Sequence, residues 1–339
     1  MTKEFLQGNV AAARSALMNG LEFYAGYPIT PSTEFLEDIA DKMDQKHFIN
    51  SFSELETINL LYGAGAAGKR NCTATSGCGL SLMREGLSYM VGAKVPSVIY
   101  NVMRFSPGLG GITPSNEDIS MVWGVGHGQS KVPILTPSTV QEIVDAMMYA
   151  LDIADALRMP VLVMVDSILA QMYEPVEIHK SEFKIAKDWA IGRHVHNITT
   201  SRRTTSKTVQ SYTTYENEME EQTDFIMSRE ESMYSSCKIF MPETIQVKHS
   251  DIGKYIVAIG TTARVIQEVA EKQNIGYIIP LLLNPFYMPD ADKVKELTVV
   301  EVGGNQLFDI MKYNFPNAKI KSIVFSCTIP DTDDIVMRM

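Results

Sequence analysis

The sequence predicts an α/β protein of two domains: a larger, mainly parallel sheet with helices on both faces, followed by a smaller α/β unit. Three observations predict it. Short apolar, strand-like runs alternate with amphipathic stretches of ten or more residues, the pattern of crossover-connected parallel strands. The 339 residues correspond to about two domains at roughly 150 residues each. A polar segment after residue 185 separates two regions that both show the alternation. The predicted division is 1–185, a polar connector over 186–250, and 251–339.

The elements follow in order. Residues 9–19 have helical spacing, with Asn9 placed to cap and Gly20 to stop the helix. Residues 21–25 are short and apolar, and Tyr27-Pro28-Ile29-Thr30-Pro31-Ser32 breaks the pattern. Thr30 is positioned to cap a helix with Pro31 at its first position and Glu34, Glu37 and Asp38 in its early turns. Leu55, Ile58, Leu61 and Tyr62 recur at helical spacing. A strand over 71–75, a Ser-Gly-Cys-Gly turn, a helix near 80–91 and a β-rich run over 95–102 come next. The pattern repeats as strand 132–136, helix 138–157 and strand 161–165. In the connector, residues 199–214 hold ten Ser or Thr, and acidic residues crowd 216–231, which reads as a long solvated loop. The second unit has strands at 255–260, 277–283, 298–302 and 319–325. Its helices are expected at 262–273 and from Gly303-Gly304 to about 313.

Composition narrows the function classes. Hydrophobic residues are 45% and charged residues 21% of the chain, an ordinary globular balance that excludes wholesale disorder. A net charge of −10 argues against a general phosphate-binding field, so no nucleic acid is expected as partner. No apolar run approaches the ~18 residues of a membrane span. The amino terminus lacks a basic start followed by an apolar run. Four cysteines without a C-x-x-C pair suit neither a cysteine-ligated metal nor a disulfide framework, and fit a reducing cytoplasm.

Two motifs point the wrong way. Gly63-x-Gly65-x-x-Gly68 matches a dinucleotide fingerprint, but it lies late in a helix and before a strand, the reverse of what a pyrophosphate cradle needs. Gly63-x4-Gly68-Lys69-Arg70 nearly matches a P-loop, but Arg70 stands where Ser or Thr must ligate magnesium. His194 and His196 read as part of the solvated connector. His127, flanked by Gly126 and Gly128, is held out on a turn.

Three segments carry chemistry. YPITPS (27–32) joins a strand end to a helix start, where free N–H groups and the Thr30 and Ser32 hydroxyls suit a carboxylate. Ser53-Glu54-Leu55-Glu56 sets carboxyl groups at the head of an apolar, Gly/Ala-rich helix. Arg104 follows an apolar strand and precedes the loop FSPGLGGITPS, a place suited to gripping a substrate carboxylate. Taken singly, each has a plainer explanation: a helix cap, glutamates favouring a helix amino terminus, a loop-anchoring ion pair.

Together the segments resemble the 2-oxoacid:ferredoxin oxidoreductases, thiamine diphosphate enzymes, and in particular the alpha subunit with the pyrimidine-binding domain. GNVAAARSAL, YAGYPITPS, SELETINLLYGAGAAG, TATSG, NVMRFSPGLGG and GHG carry the match over about 5–178, and IVAIGTTARV, LLNPF and VVEVGGNQL extend it more loosely over 255–326. NVMR-x-x-PGLG and GVGHG lean toward the branched-chain, 2-oxoisovalerate members. The resemblance implies a transketolase-like, thiamine diphosphate-binding sheet and a transketolase carboxyl-terminal-like second domain. It implies oxidative decarboxylation of a 2-oxoacid with CoA to acyl-CoA, CO2 and reduced ferredoxin. By position it implies that Glu54 contacts the pyrimidine ring nitrogen, with Glu56 as the rival, and that Thr30 and Arg104 bind the substrate. Pro28, Ile29, Ser76 and His127 are implied neighbours of the cofactor. The chain has no Gly-Asp-Gly plus Asn segment and no cluster cysteines. The resemblance therefore implies a beta subunit for the diphosphate and Mg2+, and small gamma- or delta-type subunits for iron–sulfur clusters.

Overall fold

The computed structural model describes residues 3–128, 130–191 and 232–339, together with Asp224 and Ser228. His194, His196 and most of the predicted polar connector lie outside the described residues.

The first eight strands are β1 (Glu4–Gln7), β2 (Phe23–Gly26), β3 (Phe48–Asn50), β4 (Asn71–Thr75), β5 (Ser97–Met103), β6 (Ile134–Leu135), β7 (Pro160–Asp166) and β8 (Tyr173–Val176). Helices α1 (Gly8–Met18), α2 (Thr33–Lys42), α3 (Glu54–Ala66), α4 (Gly77–Gly92), α5 (Ile119–Val122), α6 (Val140–Leu157) and α7 (Ser167–Gln171) alternate with them. The later strands are β9 (Ile245–Lys248), β10 (Lys254–Val257), β11 (Gly276–Pro280), β12 (Leu282–Asn284), β13 (Glu296–Val302) and β14 (Lys319–Phe325).

A seven-stranded sheet runs β12-β6-β7-β5-β4-β2-β3, parallel throughout except for antiparallel β12. Its central strands β4, β5 and β7 are buried along their whole length, as continuous apolar runs such as SVIYNVM require. Helix α1 packs on α2 and α6, and α3 packs on α4, so the helices form two groups seated on the sheet. Ala11, Ala12, Ala13 and Ala16 are fully buried and let α1 approach closely. Gly65 serves the same end in α3: a Cβ there would meet the Pro96 carbonyl oxygen at 2.6 Å. The glycine-rich run is thus a packing surface at the end of a helix.

A five-stranded sheet, β14-β13-β10-β11-β9, forms the second unit, with β9 antiparallel at its edge. Strands β1 and β8 pair separately as an antiparallel ribbon.

Several local expectations change. Asn9 is not the cap of α1. The cap position is Gln7, and Asn9 lies inside the helix, donating to Pro31 O and to Glu34 Oε2, each at 2.8 Å. Thr30 does not start α2. The Ser32 hydroxyl and N–H both return to the Ile29 carbonyl, closing a turn first, and the helix opens at Thr33. The run 277–283 is two strands rather than one. It breaks after Pro280, where Leu281 N and Leu282 N both donate to Thr244 O, and β12 crosses to the edge of the large sheet. Within 186–250, residues 232–240 are helical and β9 pairs with β11. The helix after Gly303-Gly304 starts at Gln306.

Candidate active site

Strands β2, β3, β4 and β5 are parallel, so their carboxyl ends lie along one edge of the sheet. YPITP follows β2, Glu54 follows β3, Ser76 follows β4 and Arg104 follows β5. Topology therefore brings together segments far apart in sequence, at the edge where open parallel sheets bind ligands.

Glu54 and Glu56 are separated by their surroundings. Ser53 caps α3 by accepting from Glu56 N at 3.2 Å, and the Glu56 carboxylate reaches back to Phe52 N at 2.6 Å. This is a variant of the reciprocal cap found at helix starts. Glu54 is buried, and its carboxylate makes no hydrogen bond or ion pair with any described residue. It lies against the first turn of α4: a Cβ on Gly79 would stand 2.6 Å from Glu54 Oε1 and 2.4 Å from Thr75 Oγ1. The Thr75 and Ser76 hydroxyls are also buried without partners. The unpartnered carboxylate of buried Glu54 and the free buried Thr75 hydroxyl thus lie side by side at the first turn of α4, and buried polar groups seek partners.

Arg104 is 6% exposed. Nη1 donates to Thr30 O at 2.6 Å, and Nη2 donates to Leu109 O at 2.9 Å and to Cys78 Sγ at 3.3 Å. No described carboxylate lies within 4.0 Å of its guanidinium, so the charge is held by neutral acceptors alone. The plain reading of Arg104 as an ion-paired loop anchor does not fit this geometry. The Thr30 side chain is exposed, as is Pro28, and Ile29 is partly buried.

Asp118, which sequence reasoning missed, completes the edge. It is fully buried, and Oδ2 accepts from Gly77 N at 3.1 Å and Asn101 Nδ2 at 2.9 Å. Burial pushes its carboxyl up to about 6, against the lowering effect of these bonds and of the nearby Arg104 charge. It ties the end of β5 to the first turn of α4. No periodicity marks it, because it sits in an irregular loop and acts across 41 positions.

His127 stands apart from this group. Its carbonyl accepts from Ser88 Oγ at 3.2 Å and its ring meets Tyr89 edge-on. Ser88 lies nine residues beyond Gly79 in α4, about 14 Å along a helix rising ~1.5 Å per residue. Among the described residues, no group of three His, Cys, Asp or Glu side chains could hold a metal ion. Nor is any described helix long and apolar enough to cross a membrane.

The fold and this edge define an α/β protein whose polar site lies at the carboxyl ends of parallel strands. The pyruvate flavodoxin/ferredoxin oxidoreductase, thiamine diphosphate-binding family matches residues 14–236, and the chain belongs to that family. It is 36% identical over 307 residues to ketoisovalerate oxidoreductase subunit VorB of Methanothermobacter thermautotrophicus, covering 88% of this chain and 83% of that subunit. It is 42% identical over 183 residues to 2-oxoglutarate synthase subunit KorA of the same organism, covering 52% of this chain and 48% of that one. A solved structure, the 2-oxoglutarate:ferredoxin oxidoreductase from Magnetococcus marinus, superposes with a TM-score of 0.82 at 22% identity. That likeness, over 99% of this chain and 64% of the other, is one of fold.

Proposed function

We propose that this chain is the subunit of a thiamine diphosphate-dependent 2-oxoacid:ferredoxin oxidoreductase that meets the cofactor's pyrimidine ring and grips the substrate carboxylate. The reaction is oxidative decarboxylation of a 2-oxoacid with CoA to acyl-CoA, CO2 and reduced ferredoxin. The observation that carries this reading is the unpartnered carboxylate of buried Glu54 beside Gly79 and Thr75, while Glu56 is occupied by its helix cap. A carboxyl group in that state fits a ring nitrogen with which it can share a proton.

Thiamine diphosphate, when bound, supplies the nucleophilic carbon and electron sink for decarboxylation. Glu54 holds a proton at its carboxyl oxygen for the pyrimidine nitrogen. With no side chain, Gly79 lets the Glu54 carboxylate and the Thr75 hydroxyl lie against the first turn of α4. Arg104 neutralises the 2-oxoacid carboxylate by charge-assisted hydrogen bonding, and exposed Thr30, whose carbonyl accepts from Arg104, lends its hydroxyl to the substrate.

Partner subunits complete the site in this reading. The apolar side chains Phe52 and Leu109, 91% and 78% exposed, lie close in sequence to Glu54 and Arg104, and exposed apolar groups beside the site suit an interaction surface. A beta subunit covering it brings the diphosphate and Mg2+ ligands, and further small subunits bring iron–sulfur clusters for ferredoxin. A branched-chain substrate such as 2-oxoisovalerate is favoured by the likeness to the ketoisovalerate subunit over 88% of this chain.

The test is purification of the native complex and assay with 2-oxoisovalerate, 2-oxoglutarate and pyruvate in the presence of CoA and ferredoxin. CoA-dependent ferredoxin reduction, fastest with 2-oxoisovalerate, is expected. Product formation without ferredoxin reduction would point to a ferredoxin-independent thiamine enzyme, and an inert complex to a scaffold chain.

A further inference from the structure

Cys78 occupies the second position of α4, and its thiol is one of three acceptors on the Arg104 guanidinium. The other two, Thr30 O and Leu109 O, are main-chain carbonyls fixed by the fold at 2.6 and 2.9 Å. Nη2 is shared between Leu109 O and the sulfur. Sulfur is a weak acceptor, whereas a carboxylate accepts from guanidinium strongly. The contact between Nη2 and Sγ, at 3.3 Å, is therefore the one an arriving anion displaces most easily. The thiol is also partly exposed, unlike buried Cys72 and Cys237. Burial pushes the Cys237 thiol up to about 12 and that of Cys72 higher still.

We propose that Cys78 is a positioning residue forming the exchangeable wall of the carboxylate subsite. It holds Nη2 of Arg104 in place and yields that N–H to the 2-oxoacid carboxylate when substrate enters. The inference rests on the functional reading above and adds a residue that sets how tightly 2-oxoacids bind. Two surroundings favour an anion there. Cys78 lies in the first turn of a 16-residue helix, whose dipole attracts negative charge. Asp118, the described carboxylate nearest in the hydrogen-bond network, is turned to Gly77 N and Asn101.

The experiment uses the native complex with 2-oxoisovalerate as the probe. Cys78→Asp places a carboxylate where substrate belongs and suits the first turn of a helix. Charge-assisted hydrogen bonds of this kind are worth tens- to roughly a hundredfold in binding, so KM should rise by about that factor while kcat at saturation changes little. Cys78→Ala should raise KM several-fold, and Cys78→Ser, which restores an acceptor, should recover part of that loss. In a parallel measurement on unmutated complex, iodoacetamide alkylates the thiol with loss of iodide and a proton. Peptide mapping should show 2-oxoisovalerate slowing that reaction at Cys78 and leaving it unchanged at Cys327, the other partly exposed cysteine. Should Cys78→Asp fail to assemble, this protection decides. An unchanged KM in Cys78→Asp, or alkylation of Cys78 indifferent to substrate in a complex that turns over 2-oxoacids, overturns the inference. A complex that turns over no 2-oxoacid overturns the functional reading instead.

Discussion

Glu54 and Glu56 are two positions apart in α3, so they project about 200° apart around the helix axis. One turns toward α4 and the buried neighbourhood, and the other toward the cap. That geometry separates their expected roles. Glu54→Gln keeps shape and hydrogen bonding but cannot carry the exchanging proton. Proton-transfer groups contribute typically about 10²–10⁴-fold, so turnover of the complex should fall at least about a hundredfold with thiamine diphosphate still bound. Glu56→Gln can still accept from Phe52 N and should change turnover little. Reversed losses, measured as steady-state rates beside cofactor titrations, would exchange the two assignments. Arg104→Ala is the second residue-scale prediction. Removing one partner of a buried, charged contact costs about 2–5 kcal/mol, so KM for 2-oxoacids should rise tens- to thousands-fold without loss of cofactor affinity. A KM within about twofold of the parent would make Arg104 a structural residue. The positions of Glu54 and Arg104 were legible because one heads a predicted helix and the other follows a predicted strand. Asp118 and Cys78 were not, because their significance lies in contacts across 41 and 26 positions.

At the scale of elements, the contact between α3 and α4 depends on missing methyl groups, at Gly86 against Ile58 and at Gly79 against Glu54. A Cβ on Gly79 would overlap Thr75 Oγ1 and Glu54 Oε1, both side-chain atoms and not main chain. Gly79→Ala should therefore fold, helped by the roughly 0.5–1 kcal/mol that Ala gains over Gly within a helix. The Glu54 side chain swings away to make room. We expect circular dichroism and melting temperature close to the parent, with turnover reduced by about tenfold or more. Unaltered turnover would show that the Glu54 position at this contact is unimportant; a collapsed melting temperature would show that the backbone, not the carboxylate, had to move. Most elements were legible from apolar periodicity: β4, β5, β7, α6 and the late strands fall within a few residues of expectation. What was hidden depended on tertiary pairing. Strand β1 meets β8 with about 170 residues between them, and four-residue strands carry too little pattern to be read alone. The break after Pro280 was invisible for a related reason, since 277–283 is apolar throughout and only the two sheets that share it reveal the division.

The whole molecule is held as one unit by contacts between the two sheets. Strand β12 joins the large sheet, Asn116 N donates to Val302 O at 2.7 Å, and Asp166 accepts from Thr261 N at 2.6 Å and from its hydroxyl at 2.8 Å. A destabilised group in the smaller sheet should therefore register in the unfolding of the entire chain. Glu301 is such a group. It is fully buried at the end region of β13, and accepts from Leu307 N at 2.8 Å and Phe308 N at 3.2 Å, yet burial pushes its carboxyl from 4.5 up to about 7. The folded chain holds this proton more tightly than the unfolded chain. Between about pH 4.5 and 7 it therefore binds more protons than the unfolded chain, and stability falls as pH rises through that window and levels off above it. A shift of this size corresponds to on the order of 3 kcal/mol. Asp118 acts in the same direction at lower pH, between 3.8 and about 6. Glu301→Gln removes the titration while keeping an acceptor for the helix start. Urea unfolding at pH 5, 6, 7 and 8 should show a shallower decline than in the parent, with the variant relatively more stable at pH 8. Other titrating groups are common to both proteins and cancel in the comparison, so equal slopes would mean that Glu301 is already ionised in the folded chain at pH 5.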